Sequence, residues 1–572
     1  MNERLEMTDT WTRRLKQGVT LQQVVAYLAL LTVVVLVVYP MAFLVEVAFR
    51  VSESGEPARY GLGNFALVFS NSNREAIINT LVLAVASTVI AIPCGFIAAW
   101  VVFRTDVPGR RFFERVLVLP YYMTPLVPTL AWLALASPRS GLINQIGFHM
   151  GLAEPIINIS SVGGIAFVMA MTGAAVAFVI MGSALQLLNP SLEECSQLFG
   201  ASKTQTLVRI TIPLMLPAIL SATIFVLAEG LGAFAEPLVL GATGGIDTIS
   251  TKIYLLVGSY PPAYGEAAAL GIALLLVVAP LMYLYFRLLK GRDFTTVSGK
   301  AFRKGGIEVR RSKYALLAAV GGYAALAVVL PILTLILNSV QRLSTVYIGD
   351  TVWTLEHYRK VLDSPDFTAS MINSLILGAS TATAGVLLMG FVVWLIYRSP
   401  IPPAIGRGIE YVVMMPVAIP RLVFAFGLLW AWLQFPGKMY GTLWILWLAY
   451  LTVFLPLGVR TIASVVLQLD KSLEEAAKVL GAGRFYMIRT VTAPLLKPGL
   501  IAAWLLMFIV SVRELGASIL LVGPDSRVIS PSIVEAFQLS GRETAATLAV
   551  IQLAVVLGAL LLMFRFTKED KA

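Results

Sequence analysis

Apolar residues in this chain come in long unbroken blocks. They do not alternate as in strands, nor line one face as in soluble helices. The block Ile77 to Phe103 contains no charged residue, and Val24 to Phe49 contains only Glu46, near its end. About 20 apolar helical residues cross the hydrocarbon of a bilayer. By that measure the sequence predicts about twelve membrane-spanning helices. The first six are near 24–49, 77–103, 116–136, 162–186, 214–236 and 266–288. The second six are near 314–339, 369–397, 409–433, 442–465, 497–519 and 544–566. The expected fold is therefore all-α and integral to the membrane, in two similar six-helix halves.

The polar segments between these blocks contain a repeat. Ser191-Leu-Glu-Glu-Cys-Ser-Gln-Leu-Phe-Gly200 lies without a gap over Ser472-Leu-Glu-Glu-Ala-Ala-Lys-Val-Leu-Gly481, at an offset of 281 residues. The match continues through Ala201/Ala482, Thr211/Thr492, Pro213/Pro494, Leu214/Leu495 and Pro217/Pro498. Each copy sits between the fourth and fifth blocks of its half. Ser191 with Glu194, and Ser472 with Glu475, have the spacing of a capping box that starts a short helix. Gly200 and Gly481 are placed to end it in a left-handed conformation. A second helical stretch then enters the membrane near Pro213 or Pro494. The division that follows is a first half, 1–289, with its loop at 191–217, and a second half, 314–572, with its loop at 472–498. The basic, glycine-containing stretch 290–313 joins them.

Composition agrees with a membrane protein. Of 572 residues, 58% are hydrophobic and 13% charged, against roughly 25% charged in soluble domains. The net charge of +11 collects in short loops, including Arg104, Arg110, Arg111, Arg115, Lys203, Arg209, Arg398, Arg407, Lys471, Arg484 and the 290–313 stretch. This bias places those loops, and with an even number of spans both termini, in the cytoplasm. Arg4, Arg13, Arg14 and Lys16 precede a first block too long for a cleavable signal, which is expected to remain as an anchor. No basic helix or aromatic platform accompanies the charge, so nucleic acid is not an expected partner. Cys94 and Cys195 are read as unpaired. His149 and His357 are read as ordinary surface residues, and no metal-ligand set can be named.

The repeated loops resemble the cytoplasmic EAA loop, E-A-A-x3-G-x9-I-x-L-P, of binding-protein-dependent ABC importers. The second copy reads Glu475-Ala476-Ala477-x3-Gly481-x9-Val491-Thr-Ala-Pro494. The first reads Glu194-Cys195-Ser196-x3-Gly200-x9-Ile210-Thr-Ile-Pro213. Cys195 and Ser196 depart from the two alanines but are also small. The resemblance implies a type I importer permease in the bacterial inner membrane. It also implies that Glu193, Glu194, Gly200, Glu474, Glu475 and Gly481 belong to loops that couple to an ABC ATPase dimer. A periplasmic substrate-binding protein would deliver the solute. The chain itself would be no enzyme and bind no cofactor, with ATP-Mg on the partner ATPase; it contains no G-x-x-x-x-G-K-[ST] phosphate loop. Gly232-Ala-Phe-Ala-Glu-Pro-Leu-Val-Leu-Gly241, Arg513-Glu-Leu-Gly-Ala-Ser-Ile-Leu-Leu521 and Ser298-Gly-Lys-Ala-Phe-Arg303 are similar to segments of fused ferric iron permeases. Permeases for thiamine, aminoethylphosphonate or polyamines look similar at this level.

Charge inside a bilayer is costly and marks a cavity or a partner. Glu229, Glu236, Arg513 and Glu514 fall in, or at the outer end of, the fifth span of a half. They are candidates for the translocation path. Arg513 and Glu514 reaching the interface or pairing with neighbouring helices is the alternative, and Arg421 beside Pro416 and Pro420 has the same two readings. Trp430, Trp432, Trp444 and Trp447 read as an interfacial belt. Twelve spans in two repeats also describe an ion-coupled secondary transporter, which the paired loops do not predict.

Overall fold

The computed structural model describes residues 21–51, 58–289, 312–343, 352–399, 401–434, 439–481 and 483–566. The joining stretch at 290–313 therefore lies outside the described residues except for its last two positions. Among the described residues, nine helices are long and apolar enough to cross a membrane unaided, and three further spans are bent pairs.

Spans one and two are Leu21–Phe49 and Asn71–Arg104. Span three is Arg110–Tyr122 with Leu126–Ala136, turned by 95° at the join. Spans four to six are Val162–Leu187, Lys203–Leu231 and Tyr264–Leu288. Spans seven and eight are Lys313–Ser339 and Pro365–Arg398. Span nine, Ala404–Ala418 with Arg421–Leu433, turns by 109°, and span ten, Leu443–Val453 with Leu455–Leu467, by 51°. Spans eleven and twelve are Ala493–Val512 and Arg542–Phe566.

Apolar run length predicts spans three and nine as continuous, and in the structure each is broken. The cause is proline, which has no N–H and clashes with the preceding turn. Pro125 opens the second piece of span three and Pro420 that of span nine. Spans five and eleven end earlier than the 236 and 519 that hydropathy suggests, at Leu231 and Val512. Their apolar runs continue because the next segments, Pro237–Gly241 and Ser518–Leu521, are short buried turns of helix.

The two halves repeat at the level of individual contacts. Asn79 Nδ2 donates to the Asp247 carbonyl and Asn373 Nδ2 to the Arg527 carbonyl, each at 3.0 Å. The N–H of Ile249 meets Thr80 Oγ1 at 2.9 Å, and that of Ile529 meets Ser374 Oγ at 2.8 Å. Arg104 Nη2 donates to the carbonyls of Leu185 and Leu188, and Arg398 Nη2 to those of Val466 and Leu469. In both halves an arginine at the end of the second span thus ties down the end of the fourth.

The first span of each half packs on the other half. Span one lies along span nine, where Trp430 Nε1 donates to Glu46 at 3.2 Å. Trp430, read above as a belt residue, is therefore a tie between halves. Span seven runs along spans two and three. Its buried Tyr323 hydroxyl donates to the Met171 carbonyl at 2.8 Å. Val320, Tyr323, Ala324, Ala327 and Val328 complete a core otherwise built by the first half. His357 is also not on the surface: it is buried, with Nε2 3.0 Å from the Gln341 carbonyl.

Candidate functional site: two matched loops and a charged junction

The first loop begins with the helix Ser191–Leu198. The capping box expected of Ser191 and Glu194 does not form. Pro190 already has helical angles, φ −65° and ψ −22°, as suits proline in a first turn. The capping acceptor is displaced to Asn189, whose Oδ1 takes the Ser191 N–H at 3.0 Å. The second loop does the same with Asp470, whose Oδ1 takes the Ser472 N–H at 2.9 Å before the helix Lys471–Val479. That hydrogen bond to the ionised form holds the Asp470 carboxyl below its ordinary range.

Gly200 and Gly481 end these helices at φ +83° and +81°, as their positions predict. In the first loop the Gly200 N–H bonds to the Gln197 carbonyl and the Ala201 N–H to the Ser196 carbonyl. This is a Schellman closure, which satisfies the last carbonyls of the helix. After the turn, Leu207–Thr211 and Ile488–Thr492 are single turns of π-helix. Pro213 and Pro494 explain both: each removes the donor for the carbonyl four residues back, and the ladder shifts by one residue.

The two neighbouring glutamates of the first loop do different work. Glu194 is exposed, while Glu193 is 2% exposed. Glu193 accepts from Thr211 Oγ1 at 2.6 Å and faces Arg104 Nε at 3.8 Å. It therefore fastens the loop helix to the π-turn behind it and to span two. The side chains of Glu474 and Glu475 lie outside the described residues. On the outer face, Leu192, Leu198 and Phe199 are 47%, 86% and 92% exposed. Leu473, Val479 and Leu480, the same positions of the second loop, are 46%, 87% and 87% exposed. Apolar side chains so bare on polar loops form a surface that calls for a partner.

The candidate path residues converge where the broken spans meet the ends of spans five and eleven. Arg513 Nη1 donates to the Tyr121 and Met123 carbonyls, and its guanidinium lies 5.6 Å from the Tyr121 ring centre. Glu514 is 1% exposed, accepts the Ala517 N–H at 3.0 Å, and pairs with Arg421 Nη1 at 3.0 Å. Glu236 is buried beyond the end of span five. Glu229 is exposed on span five and interacts electrostatically with Arg421 and Arg513. Of the four residues named from sequence, only Glu229 stands clear. Arg421, with 47% of its side chain exposed, joins it. Sequence reasoning missed Asn189, Asp470, Thr211 and Arg104, although the first three sit at repeat-matched positions. No group of three His, Cys, Asp or Glu able to hold a metal ion occurs among the described residues.

A family model described as binding-protein-dependent transport system inner membrane component matches residues 91–294 and 399–567, once in each half and over more than half of the chain. The chain belongs to this family. As such a permease it is a multi-pass inner-membrane subunit that works with a periplasmic binding protein and a separate ABC ATPase. This sets aside the secondary transporter. The chain is 27% identical over 563 residues to the ferric transport system permease protein FbpB of Actinobacillus pleuropneumoniae, covering 95% of this chain and 78% of that one. It is 27% identical to a putative ferric transport system permease, FbpB 1, of Haemophilus influenzae, covering 79% and 71%. A putative 2-aminoethylphosphonate transport system permease, PhnV, of Salmonella paratyphi A is 30% identical over 29% of this chain and 61% of its own. A crystal structure of a bacterial ABC transporter that imports alginate has 22% identity and a TM-score of 0.39, covering 51% of this permease and all of that chain.

Proposed function

We propose that this permease imports ferric iron, as the fused membrane subunit of an ATP-driven importer. The observation behind the substrate is that ferric permeases align with it over most of its length. The likeness to an aminoethylphosphonate permease is confined to 29% of the chain, and makes that solute the second reading. In this proposal residues 1–289 and 314–572 are the two halves, joined by 290–313, and both termini are cytoplasmic. Loops 191–217 and 472–498 dock one ATPase each, with Mg-ATP held by that partner. Glu193 and Glu474 anchor the loops, Glu194 and Glu475 face the ATPase, and Gly200 and Gly481 shape the turn. The paired exposed apolar residues supply the contact: burying a Leu or Phe side chain contributes about 1.5–3 kcal/mol. Glu229 lines the path, with Glu236, Arg513 and Glu514 framing it.

The test is uptake of radiolabelled ferric iron, delivered on its binding protein, in a strain lacking this permease and complemented with it. Saturable uptake that excess aminoethylphosphonate and thiamine leave unchanged is expected. Uptake of labelled aminoethylphosphonate instead would transfer the assignment to the second reading.

A further inference from the structure

We propose that Arg513 is a positioning residue that holds the two halves closed at the broken spans, and that its release opens the passage. The inference rests on the reading that solute crosses between the halves. The break in span three leaves two carbonyls without a helical donor. Four residues after Tyr121 comes Pro125, which has no N–H. Four after Met123 comes Val127, whose N–H is taken by the Thr124 carbonyl at 3.0 Å. Inside a membrane such carbonyls must find a partner. Arg513, reaching from the other half, supplies it to both.

The arginine is committed to this contact. It makes no ion pair among the described residues, because its neighbour Glu514 is bound to Arg421. Its direct contacts are two carbonyl dipoles and the face of Tyr121, while the carboxylates of Glu229 and Glu514 act on it at longer range. Glu514 meanwhile holds Arg421, the first residue after the break in span nine. Two consecutive residues at the end of span eleven thus hold the breaks of both halves.

The pseudo-symmetric contact is different. At the 281-residue offset, Arg513 corresponds to Gly232 at the end of span five. A Cβ on Gly232 would lie 3.3 Å from Pro420, at the break of span nine. The same pair of elements therefore meets twice: once through Gly232 and Pro420, with Glu229 and Arg421 interacting electrostatically beside them, and once through Arg513 and two backbone carbonyls. Separating the first contact strands no buried carbonyl, because Glu229 and Arg421 already stand exposed beside it. Separating the second strands a cation and two carbonyls unless water reaches them. The tie is firm while the junction is dry and weak once water enters, which is the behaviour of a two-state closure.

The experiment uses the full chain with Cys94→Ser and Cys195→Ser, both native thiols being free. Thr124→Cys is added as reporter, because Thr124 lies at the break and is 2% exposed. Labelling by a membrane-impermeant maleimide is followed in sealed vesicles, with Arg513, Arg513→Lys and Arg513→Ala. Arg513→Ala is expected to raise the labelling rate about tenfold. Arg513→Lys, whose ammonium can still donate to the carbonyls, should stay near the parent. In the complex with its ATPase, Arg513→Ala should also raise hydrolysis in the absence of binding protein, and Arg513→Lys should not. Equal labelling with Arg513 and with Arg513→Ala, at equal membrane levels, overturns the proposal. If Arg513→Ala does not reach the membrane, Arg513→Leu, which also lacks a donor, takes its place, and parent-like labelling of Thr124→Cys with it overturns the proposal equally. The labelling arm needs neither solute nor ATPase, so a failure of the importer reading leaves it readable.

Discussion

Replacing Glu193 with alanine should detach the first loop from the membrane domain without unfolding the protein. The carboxylate is buried and makes a 2.6 Å hydrogen bond with Thr211 and a 3.8 Å contact with Arg104. A hydrogen bond to a charged group contributes about 1.5–3 kcal/mol. Removing one partner of a buried ion pair costs about 3–5 kcal/mol when the other charge is left uncompensated. Arg104 keeps its two carbonyl partners at 2.6 Å, so the lower range applies. We expect about 2–3 kcal/mol, a roughly 30- to 150-fold fall in the docked population at 1.4 kcal/mol per factor of ten. Limited proteolysis of membranes should then cut between residues 191 and 206 at least tenfold faster, and a tagged ATPase should co-purify poorly. Glu193→Gln keeps an acceptor for Thr211 and should fall between parent and alanine. If Glu193→Ala is cut at the parental rate and retains its ATPase, the anchoring argument is wrong.

Gly200→Val and Gly481→Val force a side chain into positive φ at a cost of about 1–2 kcal/mol; no atom lies within 4 Å of either added Cβ. Both variants should insert normally yet lose ATPase co-purification, which immunoblots of membranes and pull-downs will show. Asp470, whose carboxyl is held low by the Ser472 N–H, stabilises the start of the second loop helix above the ordinary carboxylate pKa. That contribution is lost as pH falls through the depressed folded value. Protection of the Ser472 amide, its exchange rate measured against the intrinsic rate at each pH, should therefore fall on acidification in the parent and stay level in Asp470→Asn. Reporter fusions should read cytoplasmic at residue 200 and periplasmic at Ser140, as the Lys and Arg bias requires.

Much of this was legible in the residues. Block length located the spans, because a bilayer imposes one length on every helix that crosses it. The 281-residue repeat located the loops, and Gly200 and Gly481 adopt the positive φ their place implied. The breaks in spans three and nine were written in Pro125 and Pro420, but hydropathy averages over a proline. The capping error had a local cause: Pro190 is itself helical, so the capping side chain lies two residues further back than the S-x-x-E pattern suggests. The roles of Glu193 and Glu194 could not be separated in sequence, since adjacent residues differ only in the face they present. Nor could Arg513 be placed, because its partners are backbone carbonyls, which have no letter in a sequence.

The crossing-over of the first spans bears on how the molecule is made. Span one leaves the ribosome long before Trp430, the partner of Glu46, has been synthesised. At roughly 5–20 residues per second the wait is on the order of tens of seconds. Throughout it, span one must stay in lipid with its mate not yet made. Were the halves separate polypeptides, each would need to meet the other by diffusion before its opening helix found a seat. Tethering replaces that search with an intramolecular one at high effective concentration. Carrying both matched segments in one chain sets their stoichiometry at one to one and favours their pairing with each other over pairing with a second copy.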